Sequence, residues 1–300
     1  MKVFVAYKLA SGASGGANQF LRTLKNEFLK TGNLTEKVSE ADVVLFNAHH
    51  HPNEVLKTKN LFPEKKFVHR FAGVYKLYNH SEDERQDITC QINKLAADAN
   101  IFISKWTMDS YLEYGIDEKP GTVILNCADD RFFNNQHEKI ENEKTKLICT
   151  SWSINKNKGF EIYKFLDENL DFSKYDFTYV GRDPGFKFVN IKNVEAQPPE
   201  QLAKYIKESD IFVTGTKFDA CSNSLVEALS CGLPAVVLDS GGSPEVLKNG
   251  GEIFTSLEDV IEAIEKVSTN LKKYRNNIDF DRPEQTAKKY LDFFRSALEQ

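Results

Sequence analysis

Short apolar runs rich in Val, Ile and Phe recur along the chain, each followed by a stretch with helical periodicity. In the first half they are Val3–Tyr7, Val43–Phe46, Phe67–Phe71, Ile101–Ser104 and Thr122–Leu125. In the second half they are Leu147–Cys149, Phe177–Val180, Ile211–Thr214 and Ala235–Leu238. Runs this short, nearly unbroken by charge, predict strands covered on both faces. Between them, Phe20, Leu21, Leu24 and Phe28 fall at helical spacing, as do Leu225, Val226, Ala228 and Leu229. The alternation predicts an α/β class chain of parallel sheets with helices on both faces.

The polar, charged stretch Arg131–Lys146 has few apolar anchors. It reads as a linker or hinge between two halves, with a boundary near residue 143; the competing reading is a surface helix inside one domain. Arg282–Gln300 reads as an amphipathic helix with Tyr290, Leu291, Phe293, Phe294 and Leu298 on its apolar side. Pro283 stands where a helix start tolerates it.

Composition narrows the function classes. The 300 residues are 41% apolar and 28% charged, a globular composition that argues against wholesale disorder. No apolar run approaches the ~18–20 residues of a membrane-spanning helix. The N-terminal run is too short for a secretory segment, so neither a transmembrane segment nor an export signal is expected. A net charge of −5 argues against a nucleic-acid partner. The five cysteines, Cys90, Cys127, Cys149, Cys221 and Cys231, form no C-x-x-C pair and read as free thiols of a reducing cytoplasm.

Two segments carry candidate chemistry. Ser11–Ala17, SGASGGA, follows the first strand and precedes a helix over Asn18–Lys30. Glycines there let the backbone approach a ligand and leave helix N–H groups free for an anion. Ser14 breaks the dinucleotide fingerprint G-x-G-x-x-G and no GK[ST] is present, which weakens NAD and Walker-type ATP readings. The second segment, Asp219–Glu227, runs from the strand Ile211–Thr214 into a helix opened by the capping residues Ser222, Asn223 and Ser224. The N–H groups of that helix start point at the C-terminal sheet edge, where open α/β folds bind ligands. Glu227, one turn inside, sits beside a phosphate site and suits a pair of ribose hydroxyls.

Histidines offer less. His49–His51 follow a strand and read as a polar loop at a sheet edge, because three adjacent residues cannot all converge on one metal ion. His69 and Arg70 end another strand in VHRFAGVY. Trp106 and Tyr111, in SKWTMDSYLEY, read as helix packing, with an acceptor groove as the alternative.

The segment from Asp219 to Glu227 resembles the E-x7-E signature of retaining GT-B glycosyltransferases, in particular the family-4 group (glycosyl transferases group 1). CGLPAV, Cys231–Val236, and GGSPEV, Gly241–Val246, follow in the family's order. VILNCADDRFF, Val123–Phe133, resembles the family's interdomain segment. SWSINKNKGF, Ser151–Phe160, resembles the strand and K-G turn that start its C-terminal domain. SGASGGA is similar to the Gly-rich acceptor-side loop.

The resemblance implies a GT-B fold, two Rossmann-like domains facing across a cleft. Residues 1–142 would form the N-terminal acceptor-side domain and 143–281 the nucleotide-sugar-binding domain. Residues 282–300 would pack back on the first domain. It implies transfer of a sugar from a nucleotide diphosphate sugar to a hydroxyl of a saccharide, lipid or protein acceptor, with retention at the anomeric carbon. The donor is a co-substrate; no cofactor and no metal is required. By resemblance, Glu227 takes the ribose hydroxyls, Asp219 faces hydroxyls of the transferred sugar, and Lys158 neutralises the departing diphosphate. The helix start Ser222, Asn223, Ser224 and Leu225 holds the distal phosphate, and Gly15 and Gly16 complete the donor-binding set.

Departures are specific. Ser153 stands where the family usually has Arg, so either Lys156 or Arg182 supplies the second cation. Asp219 replaces the more usual Glu, and Cys127 stands at a usual glycine. VHRFAGVY resembles an H-R-x-D-G-x motif of short members but has Ala72 at the acidic position, leaving His69 as the acceptor-side or donor-sugar contact. These departures keep two rival readings open, a GT-B sugar-nucleotide epimerase and a catalytically silent nucleotide-sugar-binding module.

Overall fold

The computed structural model describes residues 1–10, 16–136, 143–183 and 185–299. The chain forms two compact units, Met1–Asn126 with Asp281–Gln300, and Cys127–Phe280. The first crossing therefore falls at Asn126 and not near residue 143. Residues Cys127, Ala128 and Phe133 are buried in the second unit, so these apolar anchors, before and just inside the polar stretch, belong to it. Residues 137–142, at the centre of the expected linker, lie outside the described residues.

In the first unit the elements run β1 (Val3–Ala6), α1 (Gly16–Lys30), β2 (Val43–Asn47), α2 (Pro52–Leu61), β3 (Lys66–Phe71), α3 (Tyr75–Tyr78), α4 (Arg85–Ala96), β4 (Ala99–Phe102), α5 (Lys105–Glu113) and β5 (Gly121–Val123). The strands form one parallel sheet in the order β1-β2-β3-β4-β5. Leu34 makes an isolated parallel bridge to Val3 on the side of β1 away from β2. Successive residues of β3 face opposite ways, as strand geometry requires. Phe67 and His69 look toward α4, and Arg70 meets the final helix. Phe46, Phe67, Val55, Ile92 and Ala96 form the core on the α2 and α4 side.

The second unit runs β6 (Thr145–Ser151), α6 (Phe160–Asn169), β7 (Tyr175–Gly181), β8 (Lys192–Glu195), α7 (Pro199–Lys207), β9 (Ile211–Thr214), α8 (Asn223–Ser230), β10 (Ala235–Leu238), α9 (Ser243–Leu247), β11 (Gly251–Phe254), α10 (Asp259–Thr269) and α11 (Leu271–Asn276). Its parallel sheet has the order β11-β10-β9-β6-β7-β8, the doubly wound Rossmann order. Leu147, Cys149, Phe177, Ile211, Val213, Val236 and Ile264 fill its core.

The last helix, α12 (Pro283–Leu298), packs on α1 and β3 of the first unit. Pro283 occupies its first position, and the Arg282 amide donates to Gln285 Oε1 at 2.8 Å. Tyr290, Leu291 and Phe294 are buried, whereas Leu298 is exposed and Phe293 half-buried. Tyr111, on α5, is buried and donates its hydroxyl to Gly73 O at 2.8 Å, so it serves helix packing. Among the described residues no helix is long and apolar enough to cross a membrane.

Candidate functional site

β6 and β9 are neighbours at the middle of the second sheet. The chain leaves β6 toward β7 and leaves β9 toward β10, so the loops at their C-terminal ends part. That is the switch point at which open α/β sheets hold ligands. The loop after β6 carries Trp152–Lys158, and the loop after β9 carries Gly215–Ser222.

Local sequence explains how the two loops meet. Asn155 Oδ1 accepts from the Asn157 amide at 2.8 Å, starting a single 3-10 turn over Lys156–Lys158. Gly159 follows at φ +77°, where a Cβ would stand 2.4 Å from the Gly215 backbone. Only glycine takes that conformation and that approach without strain. The Lys217 amide then donates to Asn157 O at 2.7 Å. Lys158 is thereby delivered to Asp219, with Nζ 3.0 Å from Oδ2. The two side chains are 15% and 19% exposed, so the pair is well shielded yet open to a ligand.

The GGSPEV segment fixes Asp219 from the other side. The Gly242 amide donates to Asp219 O at 2.8 Å, and the Phe218 amide donates to Ser240 Oγ at 3.0 Å. Asp219 Oδ1 accepts from the Cys221 amide at 3.3 Å. Phe218 itself has φ +55°, unusual for a bulky residue, and its ring is exposed. Such backbone costs about 1–3 kcal/mol and persists where surrounding structure enforces it.

α8 begins just beyond. Ser222 stands at its N-cap without making the side-chain cap bond expected of it. Its hydroxyl pairs with Ser224 Oγ at 3.0 Å instead. Asn223 opens the helix, and the leading amides, those of Ser224 and Leu225 among them, lie where a helix offers no acceptor of its own. They present positive partial charge to an anion. Glu227 lies in the second turn, half-buried. Among the described residues no side-chain hydrogen bond or ion pair reaches its carboxylate. Burial alone pushes its pKa up to about 8.

Lys156 is exposed within the 3-10 turn. Arg182, exposed at the end of β7, lies with its guanidinium 4.7 Å over the Trp152 ring. The Arg182–Trp152 stack was not legible in the sequence, because the two residues come from loops thirty positions apart. Gly15 falls outside the described residues, and Gly16 is the first residue of α1. Among the described residues no group of three or more His, Cys, Asp and Glu is placed to hold a metal ion.

His69 corrects an expectation. Its ring is fully buried, stacked on Phe46 at 4.3 Å and against Phe71 at 4.3 Å. Nε2 meets Ala48 O at 3.1 Å and Nδ1 meets Asn93 Nδ2 at 3.1 Å. Burial drives its pKa down to about 3. Both nitrogens are occupied by the protein, so His69 braces β3 against α4 and touches no substrate. Its neighbour Arg70 is also buried; Nε donates to Tyr290 Oη at 3.1 Å, Nη1 to Asn47 Oδ1 at 2.6 Å and Nη2 to Asn126 Oδ1 at 2.5 Å. The Phe20 ring lies 4.3 Å from its guanidinium carbon.

Comparison with known proteins places these features. The family model described as "Glycosyl transferases group 1" matches residues 189–282. The phosphatidylinositol N-acetylglucosaminyltransferase GPI3 subunit of Saccharomyces cerevisiae is 27% identical over 163 residues, 49% of this chain and 36% of that protein. The chain thus spans about a third of the length of that curated relative. The apo lipopolysaccharide outer core galactosyltransferase WaaB superposes with a TM-score of 0.74 at 13% identity, covering 99% of both chains. Anabaena HepE, solved in complex with UDP-glucose, superposes with a TM-score of 0.66 at 14% identity, covering 99% of this chain and 98% of that one. With its two parallel sheets and its switch-point loops the chain has the GT-B fold, and over residues 189–282 it is similar to the glycosyl transferases of group 1.

Proposed function

We propose that the chain transfers a glycosyl unit from a nucleotide diphosphate sugar to a hydroxyl acceptor with retention of anomeric configuration. The second unit binds the donor and the first unit, with α12, serves the acceptor. The observation that carries this reading is the convergence, at the switch point, of the shielded Lys158–Asp219 pair, the start of α8 that Ser222 does not cap with its side chain, and Glu227, whose carboxylate has no partner among the described residues. HepE, of the same fold, is solved with UDP-glucose, which supports a nucleotide-sugar donor here.

In this reading the Glu227 carboxylate accepts the ribose hydroxyls. The Ser224 and Leu225 amides hold the distal phosphate. Lys158 exchanges Asp219 for the diphosphate as negative charge develops on the leaving group, and Asp219 is released to the sugar hydroxyls. Lys156 or Arg182 adds the second positive charge. A charge-assisted contact of this kind contributes ~1.5–3 kcal/mol, and acceleration comes from positioning and from stabilising diphosphate charge. No carboxylate is placed as a covalent nucleophile among the described residues, which favours front-face departure with oxocarbenium character. The reaction requires no metal in this account. We place the activity in the cytoplasm, the compartment expected for a chain whose five cysteines form no C-x-x-C pair.

The test is incubation with UDP-, GDP- and ADP-sugars and a panel of hydroxyl acceptors, with products read by mass spectrometry and anomeric configuration by NMR. A retained glycoside from one donor class is expected. Inversion, or donor isomerisation without acceptor, contradicts the reading. Lys158→Ala is expected to slow turnover more than it weakens nucleotide binding; equal losses argue against a leaving-group role.

A further inference from the structure

The charges on the two switch-point loops of the second unit cancel. Lys158 is paired with Asp219, and Lys217 is paired with Glu161 at 2.7 Å. A diphosphate held there carries more negative charge than these pairs leave free to meet, so a cation without a carboxylate of its own has to reach it. Lys156 and Arg182, both exposed, make no ion pair among the described residues. Their settings differ.

The loop itself supplies no oriented second cation. Ser153 Oγ accepts the Asn155 amide at 3.1 Å, and Ser153 O accepts the Ser151 hydroxyl at 2.7 Å. The residue at the usual arginine position therefore shapes the turn and brings no charge. A 3-10 turn advances by about 120° per residue, so Lys156 leaves the turn on a different side from Lys158. No contact among the described residues orients its side chain.

Arg182 is held from three directions. Gly181 pairs with Ser151 across β6 and β7, and a Cβ there would stand 2.3 Å from Ser151 O. That close approach lets the Arg182 amide donate to Ser151 O at 3.0 Å. The buried Tyr179 donates its hydroxyl to Arg182 O at 2.7 Å. Its ring lies 6.4 Å from that of Phe160, which follows Lys158 and Gly159. The backbones that carry Lys158 and Arg182 are thus tied to one aromatic pair. Finally, the guanidinium lies over Trp152, the residue that opens the loop carrying Lys158. A guanidinium stacked by its face on a ring keeps its N–H edge available for two oxygens at once.

We propose that Arg182, oriented by its stack on Trp152, is the second cation of the donor site and bridges both phosphates of the nucleotide diphosphate. The assignment rests on the transferase reading above and decides between the two cations which that reading left open.

Calorimetric titration of the full chain with UDP, GDP and ADP, and with the matching 5′-monophosphates, tests it. The wild type is expected to bind one class of diphosphate. Arg182→Gln, which removes the charge at a solvent-exposed position, is expected to raise the Kd of that diphosphate about fivefold or more. The monophosphate, which offers no second phosphate to bridge, is expected to lose less. Arg182→Lys is expected to recover part of the diphosphate affinity, because it restores the charge without the fork. Lys156→Gln is expected to cost less than Arg182→Gln. A rise in Kd below about fivefold in Arg182→Gln, an equal loss on monophosphate and diphosphate, or a larger loss in Lys156→Gln overturns the assignment while the transferase reading stands. A wild type that binds none of these nucleotides overturns both.

Discussion

Glu227 is a carboxyl group placed where the fold gains nothing from its charge. Its folded pKa, about 8, lies above the ordinary 4.5. The folded state therefore keeps a proton that the unfolded chain releases over that interval. The stability this proton confers is complete below pH 4.5 and is lost as pH rises through 8. Glu227→Gln is expected to raise the melting temperature at pH 8.5 by about 3 °C or more and to change it little at pH 4.5; parallel melting profiles across that range argue against the shift. Ribose hydroxyls donating to the carboxylate favour its charged form. Donor binding at pH 7 is thus expected to release a proton, read as a binding enthalpy that differs between phosphate and Tris buffers. Equal enthalpies in the two buffers contradict a contact with Glu227. The side chain's type and position were legible in the acidic pair eight positions apart. Its lack of partners was not, because that depends on what α8 packs against. His69 shows the converse: a histidine at a strand end looked exposed to a ligand, and hydrogen bonds to Ala48 O and Asn93 left no nitrogen available.

At the scale of elements, the K-G turn and the loop after β9 act as one piece. Gly159 joins them, and Gly159→Ala places a methyl against the Gly215 backbone at a φ that alanine resists. Lys158 then loses its position beside Asp219, and kcat/KM is expected to fall about tenfold or more while the far-ultraviolet circular dichroism stays native. A variant with wild-type kcat/KM contradicts the positioning role of the turn. The strands that the apolar pattern located include every central one of both sheets; Ile211–Thr214 and Ala235–Leu238 match to the residue. Two went unread. β8, Lys192–Glu195, is a largely exposed edge strand, and β11, Gly251–Phe254, is the opposite edge. With one flank open, neither needs the unbroken apolar run that marks a central strand. The domain boundary was misplaced for a related reason. Polarity over Arg131–Lys146 drew attention, whereas Cys127, Ala128 and Phe133 are buried and belong to the second unit.

Across the whole molecule, the chain completes the second unit and then returns, α12 closing the first unit from the far end of the sequence. Arg70 secures that return by bonding Tyr290 on α12, Asn47 on β2 and Asn126 at the end of the first unit. No pattern within VHRFAGVY discloses a contact 220 residues away. Arg70→Met takes a donor from each of three buried oxygens and is expected to lower unfolding stability by about 2–4 kcal/mol, measured by urea denaturation; a loss below about 1 kcal/mol contradicts this role. The functional claim rests on the switch point of the second sheet, and isothermal titration of the full chain and of Glu227→Ala with UDP-, GDP- and ADP-sugars tests it most directly. The account predicts that the wild type binds one class of donor and that binding disappears in the variant. Equal affinity of both proteins for that donor contradicts it.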